Sequence, residues 1–261
     1  SNIVKELNRK GRQDILIIDD LKDGENYKNL RGLQFIDYQH KDDFLQSIEE
    51  DDFGGSDIDA VFHEGACSDT MEYDVNYMMK TNYEYSKTLL HFCMQHRVPF
   101  LYASSASTYG MGRHGFTEGD AAEDALNPYA FSKLAFDRYV RQVKGESRSP
   151  IVGLRYFNVF GQRQDPYGAY AAVIPQWFAS LLKGETVYVN GDGETSRDFC
   201  YIDNVVQANL LASLAPDQAR NKVYNVAFGQ RTTLNELFAL IREEVVRHKP
   251  EAASAAPVHR D

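Results

Sequence analysis

Short apolar runs rich in β-branched residues alternate with helical segments along the first part of the chain, and this alternation limits the folds open to it. The runs occupy residues 14–19 (DILIID), 59–66 (DAVFHEGA), 99–106 (PFLYASSA) and 151–157 (IVGLRYF). Residues 73–95 and 128–143 have the spacing of helices, and Asn127-Pro128 is typical of a helix start. Buried strands that are separated by helices pair in parallel. The sequence therefore predicts an α/β fold with a doubly wound parallel sheet.

A different pattern begins at Asn158. The elements predicted beyond it are a helix at 173–183, a strand at 186–191, a helix at 204–214, a strand at 223–227 and a helix at 232–248. We therefore divide the chain into a larger domain, residues 1–157, and a smaller lobe, residues 158–261. Sheets of this type bind ligands at the carboxyl ends of their strands, and we expect the smaller lobe to hold the substrate there.

The composition excludes several classes of partner. A net charge of −10 argues against nucleic acid and against anionic membranes, because phosphate surfaces select basic faces. The three cysteines, Cys67, Cys93 and Cys200, are scattered without metal-ligand spacing, which predicts reduced thiols and no metal site. No apolar run reaches membrane length and the first residues do not resemble a signal peptide, so we expect a soluble, cytoplasmic protein.

The stretch SSASTYG, followed by NPYAFSK, is the strongest indication of chemistry. Tyr129 and Lys133 are four residues apart on a predicted helix, so their side chains lie on one face. A lysine ammonium near a tyrosine hydroxyl favours the phenolate, and a tyrosine with a lowered pKa can act as a general base. Ser105 ends a predicted strand 24 residues before Tyr129 and can share a hydrogen bond with a substrate hydroxyl. Such Tyr/Lys pairs also occur in plain packing, but the serine-rich strand end favours catalysis.

Two acids, Asp19 and Asp20, end the run DILIIDD. In dinucleotide-binding folds, an acid about 20 residues beyond a glycine-rich loop accepts hydrogen bonds from the adenosine ribose. A glycine-rich loop is not present in this sequence before the helical segment that precedes Asp19. Taken alone, the pair is better explained as the cap of a turn at the end of a strand.

Four motifs, in order, carry a resemblance to a known family: SSASTYG, YAFSK, RYFNVFG and GDGETSRDF. Together they resemble the extended short-chain dehydrogenase/reductases, in the branch of nucleotide-sugar epimerases and dehydratases, over essentially the whole chain. The resemblance implies a Rossmann-like sheet, a tightly held NAD or NADP, a nucleotide-diphosphate sugar as substrate and a homo-oligomer. It also implies that the first strand and glycine loop would precede Ser1 and that the substrate lobe would continue beyond Asp261.

The same resemblance assigns residues to the site. Tyr129 would be the base, Lys133 would tune it and hold the nicotinamide ribose, and Ser105 would complete the catalytic set. The other positions that the resemblance implies contact the cofactor (Asp19, Asp20, Lys41, Gly65, Ala66 and Asn82) or the substrate (Asn158 and Arg197, which would bind the diphosphate).

The two halves of the chain resemble different enzymes of this branch. Residues 1–141 are similar to the ADP-glyceromannoheptose 6-epimerases, and residues 158–261 to the UDP-N-acetylglucosamine 4-epimerases. The resemblance implies that the heptose enzymes use two bases, the second of which is a further lysine. In this chain Tyr167 stands at the position of that lysine, where it would lie beside the substrate. A tyrosine without a lysine partner is a poor base near neutral pH. The sequence therefore favours the UDP-N-acetylhexosamine 4-epimerase, with the heptose epimerase as the alternative.

Two other activities compete with epimerisation. A dehydratase of the branch would need an acid after the catalytic serine, where this chain has Ala106, Ser107 and Thr108. A catalytically inactive or truncated family member that binds a nucleotide is the second alternative, because no glycine loop is present to hold a pyrophosphate.

The choice of cofactor depends on the acids after the first run. In the heptose enzymes, a preference for NADP is associated with an asparagine after the strand-end aspartate. The resemblance places Asp20 at that position, and its carboxylate should repel a 2′-phosphate. Lys41 matches one of the lysines of those enzymes. On balance the sequence favours NAD over NADP.

Overall fold

Helices follow strands through the first part of the chain, as the sequence predicts. The structure, a computed structural model, describes residues 1–21, 26–50, 54, 57–164 and 172–260. The helices of these residues are α1 (Asn2–Arg9), α2 (Lys41–Glu49), α3 (Val75–Met79), α4 (Tyr85–His96), α5 (Pro128–Val143), α6 (Val173–Lys183), α7 (Ile202–Ser213) and α8 (Leu234–Val246). A π-helical turn, Lys80–Glu84, joins α3 to α4 where the sequence predicts one continuous helix.

The central sheet is parallel. The strands of the described residues are β1 (Leu16–Asp19), β2 (Asp37–His40), β3 (Val61–His63), β4 (Phe100–Ser105), β5 (Ile151–Tyr156), β6 (Asn158–Phe160), β7 (Tyr188–Asn190), β8 (Ser196–Arg197), β9 (Phe199–Tyr201), β10 (Lys222–Val226), β11 (Thr232–Thr233) and β12 (Val258–Arg260). One sheet has the order β10-β5-β4-β3, with every neighbouring pair parallel. A second parallel sheet pairs β1 with β2. This confirms the predicted α/β fold with a parallel sheet.

The chain forms two compact units. The first contains Ser1–Tyr156 and Asp203–Val226, and the second contains Phe157–Ile202 and Ala227–Asp261. The segment Asp203–Val226, which the sequence division placed in the second lobe, belongs to the first unit because β10 pairs with β5 along its whole length.

The core of the first unit holds α4 and α5 against the sheet. Leu90 of α4 and Phe136 of α5 are buried with Phe100 and Tyr102 of β4. The rings of Tyr102 and Phe136 meet edge to face, 4.9 Å between centroids. Burying side chains of this size contributes about 1.5–3 kcal/mol each, so this packing sets where α5 lies on the sheet.

In the second unit, the core lies between α6, α8 and β7. Trp177 and Leu181 of α6 pack with Phe238 and Val245 of α8, and Val189 of β7 is fully buried beside them. The short pairs β6-β9, β8-β11 and β7-β12 complete this unit. Among the residues that the structure describes, none of the helices combines the length and the apolar character needed to cross a membrane.

A buried network of charges fastens α5 to the sheet. Arg155 of β5 is fully buried, and its Nε and Nη2 atoms donate to Asp137 of α5 at 2.9 and 2.8 Å. The Asp137 carboxylate also accepts hydrogen bonds from Tyr102 at 3.0 Å and from Ser104 at 2.9 Å, both on β4. Nη2 of Arg155 reaches Glu123 at 2.6 Å. Asp137 therefore ties one turn of α5 to two adjacent strands.

We expect replacement of Arg155 by methionine to destabilise the protein strongly. Arg155→Met fills a similar volume but leaves the buried Asp137 without its arginine, whereas Glu123 keeps Arg141 at 2.7 Å. The uncompensated Asp137 should lower the free energy of unfolding by about 3–5 kcal/mol. Urea titration followed by circular dichroism measures the loss. The matched control is Arg138→Met, because Arg138 pairs with the same Glu123 at 3.4 Å but is exposed; we expect a loss below about 1 kcal/mol. Equal losses in the two variants would contradict this account of the network.

Candidate active site

Ser105 is fixed at the point where β4 gives way to a 3₁₀ turn. It is the last residue of the strand and caps the turn Ala106–Tyr109. Its Oγ accepts a hydrogen bond from the backbone N–H of Ser107 at 3.1 Å and lies 2.9 Å from the Ser107 hydroxyl. The serine is thus held at the carboxyl edge of the parallel sheet, where the sequence placed it.

Tyr129 lies in the first turn of α5. The helix starts as predicted, because the Asn127 side chain accepts the N–H of Ala130 at 2.8 Å and Pro128 occupies the first turn. Burial raises the pKa of Tyr129, a hydrogen bond with Ser105 lowers it, and the nearby Cys67 raises it. The net direction is upward, opposite to the lowering that the Tyr/Lys spacing predicts, because desolvation of the phenolate dominates. The structure nevertheless brings Ser105 and Tyr129 together.

Lys133 lies one turn further along α5 and is buried. Its Nζ donates to the carbonyl oxygen of Ala103, the residue two before Ser105, at 2.9 Å. Burial lowers the pKa of Lys133 to about 8, against the opposing charges of Glu64 and Asp137, which raise it. The lysine therefore points at the carboxyl end of β4, beside the serine.

The loop after β3 is held by Asn82. This residue, in the π-helical turn, is almost fully buried, and its amide makes paired hydrogen bonds to Cys67: Oδ1 accepts the N–H at 2.8 Å and Nδ2 donates to the carbonyl at 2.9 Å. Nδ2 also lies 3.1 Å from the hydroxyl of Ser132 on α5. Gly65 and Ala66 precede Cys67 and are exposed. Asn82 thus fixes the loop that carries them.

The predicted ribose-binding acids lie together at the end of β1. Asp19 is its last residue and is exposed, and its carboxylate accepts the N–H of Asp20 at 2.7 Å. Lys41 begins α2, donates to Asp42 at 2.8 Å and lies 3.9 Å from the Asp20 carboxylate. The charge of Lys41 is therefore shared between two carboxylates.

In the second unit, Asp198 binds one of the two residues predicted to contact a diphosphate, Asn158, and follows the other, Arg197, in the sequence. Its carbonyl oxygen accepts hydrogen bonds from the N–H and from Nδ2 of Asn158, both at 3.1 Å. Its carboxylate accepts the N–H groups of Phe228 and Gly229 at 2.8 and 2.7 Å. Arg197 is the last residue of β8, directly before Asp198, and is exposed. Tyr167, the remaining substrate candidate, lies outside the described residues.

The first unit contains donors that fit a nicotinamide cofactor. An ammonium carries three hydrogen-bond donors. Among the described residues, the buried Lys133 ammonium makes one hydrogen bond, to Ala103, which leaves donors for ribose hydroxyls. The exposed Asp19 carboxylate at the end of β1 supplies acceptors for a second ribose.

Comparison with known proteins identifies the family. The model of the family described as "NAD dependent epimerase/dehydratase family" matches residues 1–227. The chain belongs to this family. Its NAD dependence confirms the cofactor expected from the sequence, and its epimerases and dehydratases confirm the branch that the four motifs indicated.

Solved structures of similar fold carry both activities that the sequence indicated. UDP-glucose 4-epimerase from Thermotoga maritima, solved with UDP-glucose, is 29% identical with a TM-score of 0.84, the match covering 99% of this chain and 81% of that one. ADP-L-glycero-D-manno-heptose-6-epimerase from Helicobacter pylori is 28% identical with a TM-score of 0.83, covering 99% and 80%. UDP-N-acetylglucosamine 4-epimerase from Methanobrevibacter ruminantium, in complex with UDP-N-acetylmuramic acid, is 29% identical with a TM-score of 0.85, again covering 99% and 80%. These similarities do not distinguish between the two activities.

Several residues that shape the site escaped sequence reasoning. Asp137 is eight residues after Tyr129, a spacing that keeps it on the same face of α5. Arg155 is a charge inside the apolar run IVGLRYF, and a charge inside a buried strand signals a partner. Asp198 carried no such signal, because SRDF reads equally well as an exposed ion pair.

We expect Asn82→Ala to weaken NAD binding more than it weakens the fold. Loss of the amide frees the loop of residues 64–67, and the unmatched backbone groups of Cys67 cost about 1–3 kcal/mol of stability. Affinity for NAD, measured by isothermal titration calorimetry, should fall about tenfold or more. The control Ser132→Ala removes one contact of Asn82 while leaving both bonds to Cys67, and we expect nearly unchanged affinity. Full NAD affinity in Asn82→Ala would contradict the role of this loop.

Proposed function

We propose that the chain is a nucleotide-sugar epimerase that acts by transient oxidation of the sugar, with a UDP-N-acetylhexosamine as substrate and C4 as the inverted carbon. The observation that carries the proposal is the set of Ser105, Tyr129 and Lys133 at the carboxyl edge of a parallel sheet, in a member of an NAD-dependent epimerase family. Bound NAD would supply the hydride acceptor and return the hydride to the opposite face of the keto sugar.

Each residue of the set has a part in this reaction. Tyr129 takes the proton of the sugar hydroxyl and later gives it back. Ser105, which is close enough to Tyr129 to lower its pKa, shares the same substrate hydroxyl and so orients it. Lys133 presents its ammonium to the ribose of the cofactor. Because burial raises the pKa of Tyr129, the phenol keeps its proton in the unliganded chain, and we propose that binding of cofactor and substrate triggers its loss.

The diphosphate of the substrate is assigned to the second unit. Arg197 is exposed, and its guanidinium has the fork geometry that suits two phosphate oxygens. Asn158 is held beside the same strand by Asp198. Both residues belong to the part of the chain whose sequence resembles the UDP-sugar 4-epimerases, which supports a uridine nucleotide over an adenosine nucleotide.

The ADP-heptose 6-epimerase is the second candidate. Its support is the sequence of residues 1–141, including HEGACSDT, which resembles the heptose enzymes. A dehydratase is disfavoured, because Ser107, rather than an acid, contacts the Ser105 hydroxyl. A catalytically inactive family member predicts that neither sugar reacts.

Preference for NAD over NADP is part of the same proposal. Asp20 places a carboxylate after the strand-end acid, and the Lys41 charge that could attract a 2′-phosphate is shared between Asp20 and Asp42. Cytoplasmic location, expected from the sequence composition, and assembly into a homo-oligomer, which the resemblance implies, belong to the proposal as well.

We expect Tyr129→Phe to abolish turnover while leaving nucleotide-sugar binding nearly intact. The substitution removes only the proton-accepting oxygen, so the rate constant should fall by about 10³-fold or more, whereas the Kd from calorimetry should change less than about threefold. The control Tyr139→Phe lies on the same helix, where its hydroxyl contacts His91, and should retain activity. Undiminished turnover in Tyr129→Phe would rule out this mechanism.

The substrate is decided by presenting both sugars separately. UDP-N-acetylglucosamine and ADP-heptose are incubated with the protein and NAD, and products are read by proton NMR. We expect inversion at C4 of the UDP sugar alone. Conversion of the heptose alone would replace the first candidate by the second, and conversion of neither would favour the inactive member.

A further inference from the structure

Glu64 is an acid at the carboxyl end of an otherwise apolar strand. It directly follows His63, the last residue of β3, in the run DAVFHEGA. The hydroxyl of Tyr156 lies 3.1 Å from one oxygen of its carboxylate and 3.0 Å from the other. Tyr156 ends β5, so the Glu64 side chain is engaged by a residue two strands away in the same sheet.

A buried amide supports this contact from the helix side. Asn209 of α7 is fully buried, and its Nδ2 donates to the Tyr156 hydroxyl at 2.7 Å and to the carbonyl of Val205 at 3.0 Å. Its Oδ1 is buried without a hydrogen-bond partner among the described residues. Apolar side chains would fill this space without leaving an unsatisfied oxygen. The polar relay from Asn209 through Tyr156 to Glu64 is therefore difficult to explain by packing alone.

The relay from Asn209 to Glu64 links β5 to the end of β3, and β4, which binds Lys133, lies between these two strands. His63 pairs with Tyr102 in the parallel register of β3 and β4, so Glu64 comes level with Ala103. The carbonyl of Ala103 is the group that accepts the Lys133 ammonium at 2.9 Å. On the other side of β4, Ser105 pairs with Tyr156. Glu64 and the Ala103 carbonyl that binds the Lys133 ammonium are thus level with each other on neighbouring strands.

Of the two acids near Lys133, Asp137 is paired with Arg155, whereas Glu64 has no ion pair with an arginine among the described residues. Lys133 faces two acids, Glu64 and Asp137. Asp137 already accepts four hydrogen bonds from the side chains of Arg155, Tyr102 and Ser104. Among the described residues, the other titratable side chains that face the pair are His63 and Tyr156.

We propose that Glu64 is a positioning residue for Lys133, whose ammonium it keeps protonated and directed at the carboxyl end of β4. This inference rests on the proposed function only in that Lys133 serves the ribose of the nicotinamide cofactor. Tyr156 and Asn209 hold the carboxylate in place from the opposite side. Glu64 therefore influences catalysis through Lys133 without touching the substrate.

The pH dependence of the pair follows from its two members. Glu64 is exposed as a residue. The protein groups around its carboxyl nevertheless desolvate it and raise its pKa to about 7, against Tyr156 and Lys133, which lower it. Desolvation lowers the pKa of Lys133 to about 8. Below the first value Glu64 is protonated and neutral, and above the second Lys133 loses its charge. The attraction is therefore strongest between these two values, where NAD affinity should be highest.

The direct test measures the titration of Lys133 without cofactor or turnover. Protein labelled with ¹³C at lysine Cε is titrated by NMR, and the Lys133 resonance is assigned by its loss in Lys133→Met. In Glu64→Gln we expect the pKa of Lys133 to fall by about one unit, because the opposing charge is gone while burial remains. Asp59→Asn removes one charge from the amino side of the same strand and should leave the titration unchanged. An unshifted Lys133 in Glu64→Gln would overturn the proposal.

Two further variants keep the test informative if Glu64→Gln does not fold. Glu64→Asp retains the charge and should keep the Lys133 titration near that of the parent. Tyr156→Phe retains the carboxylate but removes its hydrogen bond, and should lower the pKa of Lys133 by less than about half a unit. A fall of about one unit or more in Tyr156→Phe or in Glu64→Asp, both of which retain the charge, would mean that the opposing charge does not set the Lys133 titration, and would overturn the proposal.

Cofactor affinity provides a second measurement that does not depend on which sugar is epimerised. Calorimetric titration of NAD across pH 6 to 9 should give an affinity maximum between about 7 and 8 in the parent chain. In Glu64→Gln the rise below the maximum should disappear and the fall should begin at lower pH. The same profile in both proteins would refute the role of Glu64, whereas a correct profile without epimerisation would refute only the proposed function.

Discussion

The buried contact between Arg155 and Asp137 fastens α5 to the sheet. A guanidinium and a carboxylate that are both removed from water need each other and need hydrogen bonds for their remaining atoms. Asp137 obtains them from Arg155, Tyr102 and Ser104, so a single side chain of α5 is tied to β4 and β5. Since Tyr129 and Lys133 precede Asp137 by eight and four residues on one face, their placement follows from this anchor.

The carboxyl edge of the sheet is where these constraints meet. β4 ends in Ser105, and the carbonyl of Ala103 receives the Lys133 ammonium. The loop after β3 is fixed through the two bonds of Asn82 to Cys67. A parallel sheet brings the ends of neighbouring strands to one edge, so residues distant in sequence form one site. The desolvation that accompanies this arrangement moves the pKa of Tyr129 upward and that of Lys133 downward.

The strands and the helix that carry the site can be predicted from the sequence, whereas the pKa shifts and the tertiary contacts cannot. The apolar runs and the Asn127-Pro128 start predict β3, β4, β5 and α5, because periodicity and capping are local signals. The expectation for the Tyr129 pKa was wrong in direction, because burial is a property of the folded surroundings and not of the Tyr/Lys spacing. Glu64 and Asp198 act through tertiary contacts that no local pattern encodes. Tyr167 lies outside the described residues, so its role stays a prediction.

The most direct test of the account follows a single hydrogen atom through the reaction. UDP-N-acetylglucosamine carrying deuterium at C4, and ADP-heptose carrying it at C6, are each incubated with the protein and NAD in ordinary water, and the isotope is located in the product by NMR. Oxidation and return of the same hydride predict that the inverted carbon keeps its deuterium. Loss of the label to solvent in an inverted product would show deprotonation of the carbon itself, and would contradict the assignment of Tyr129 as a base acting on the hydroxyl.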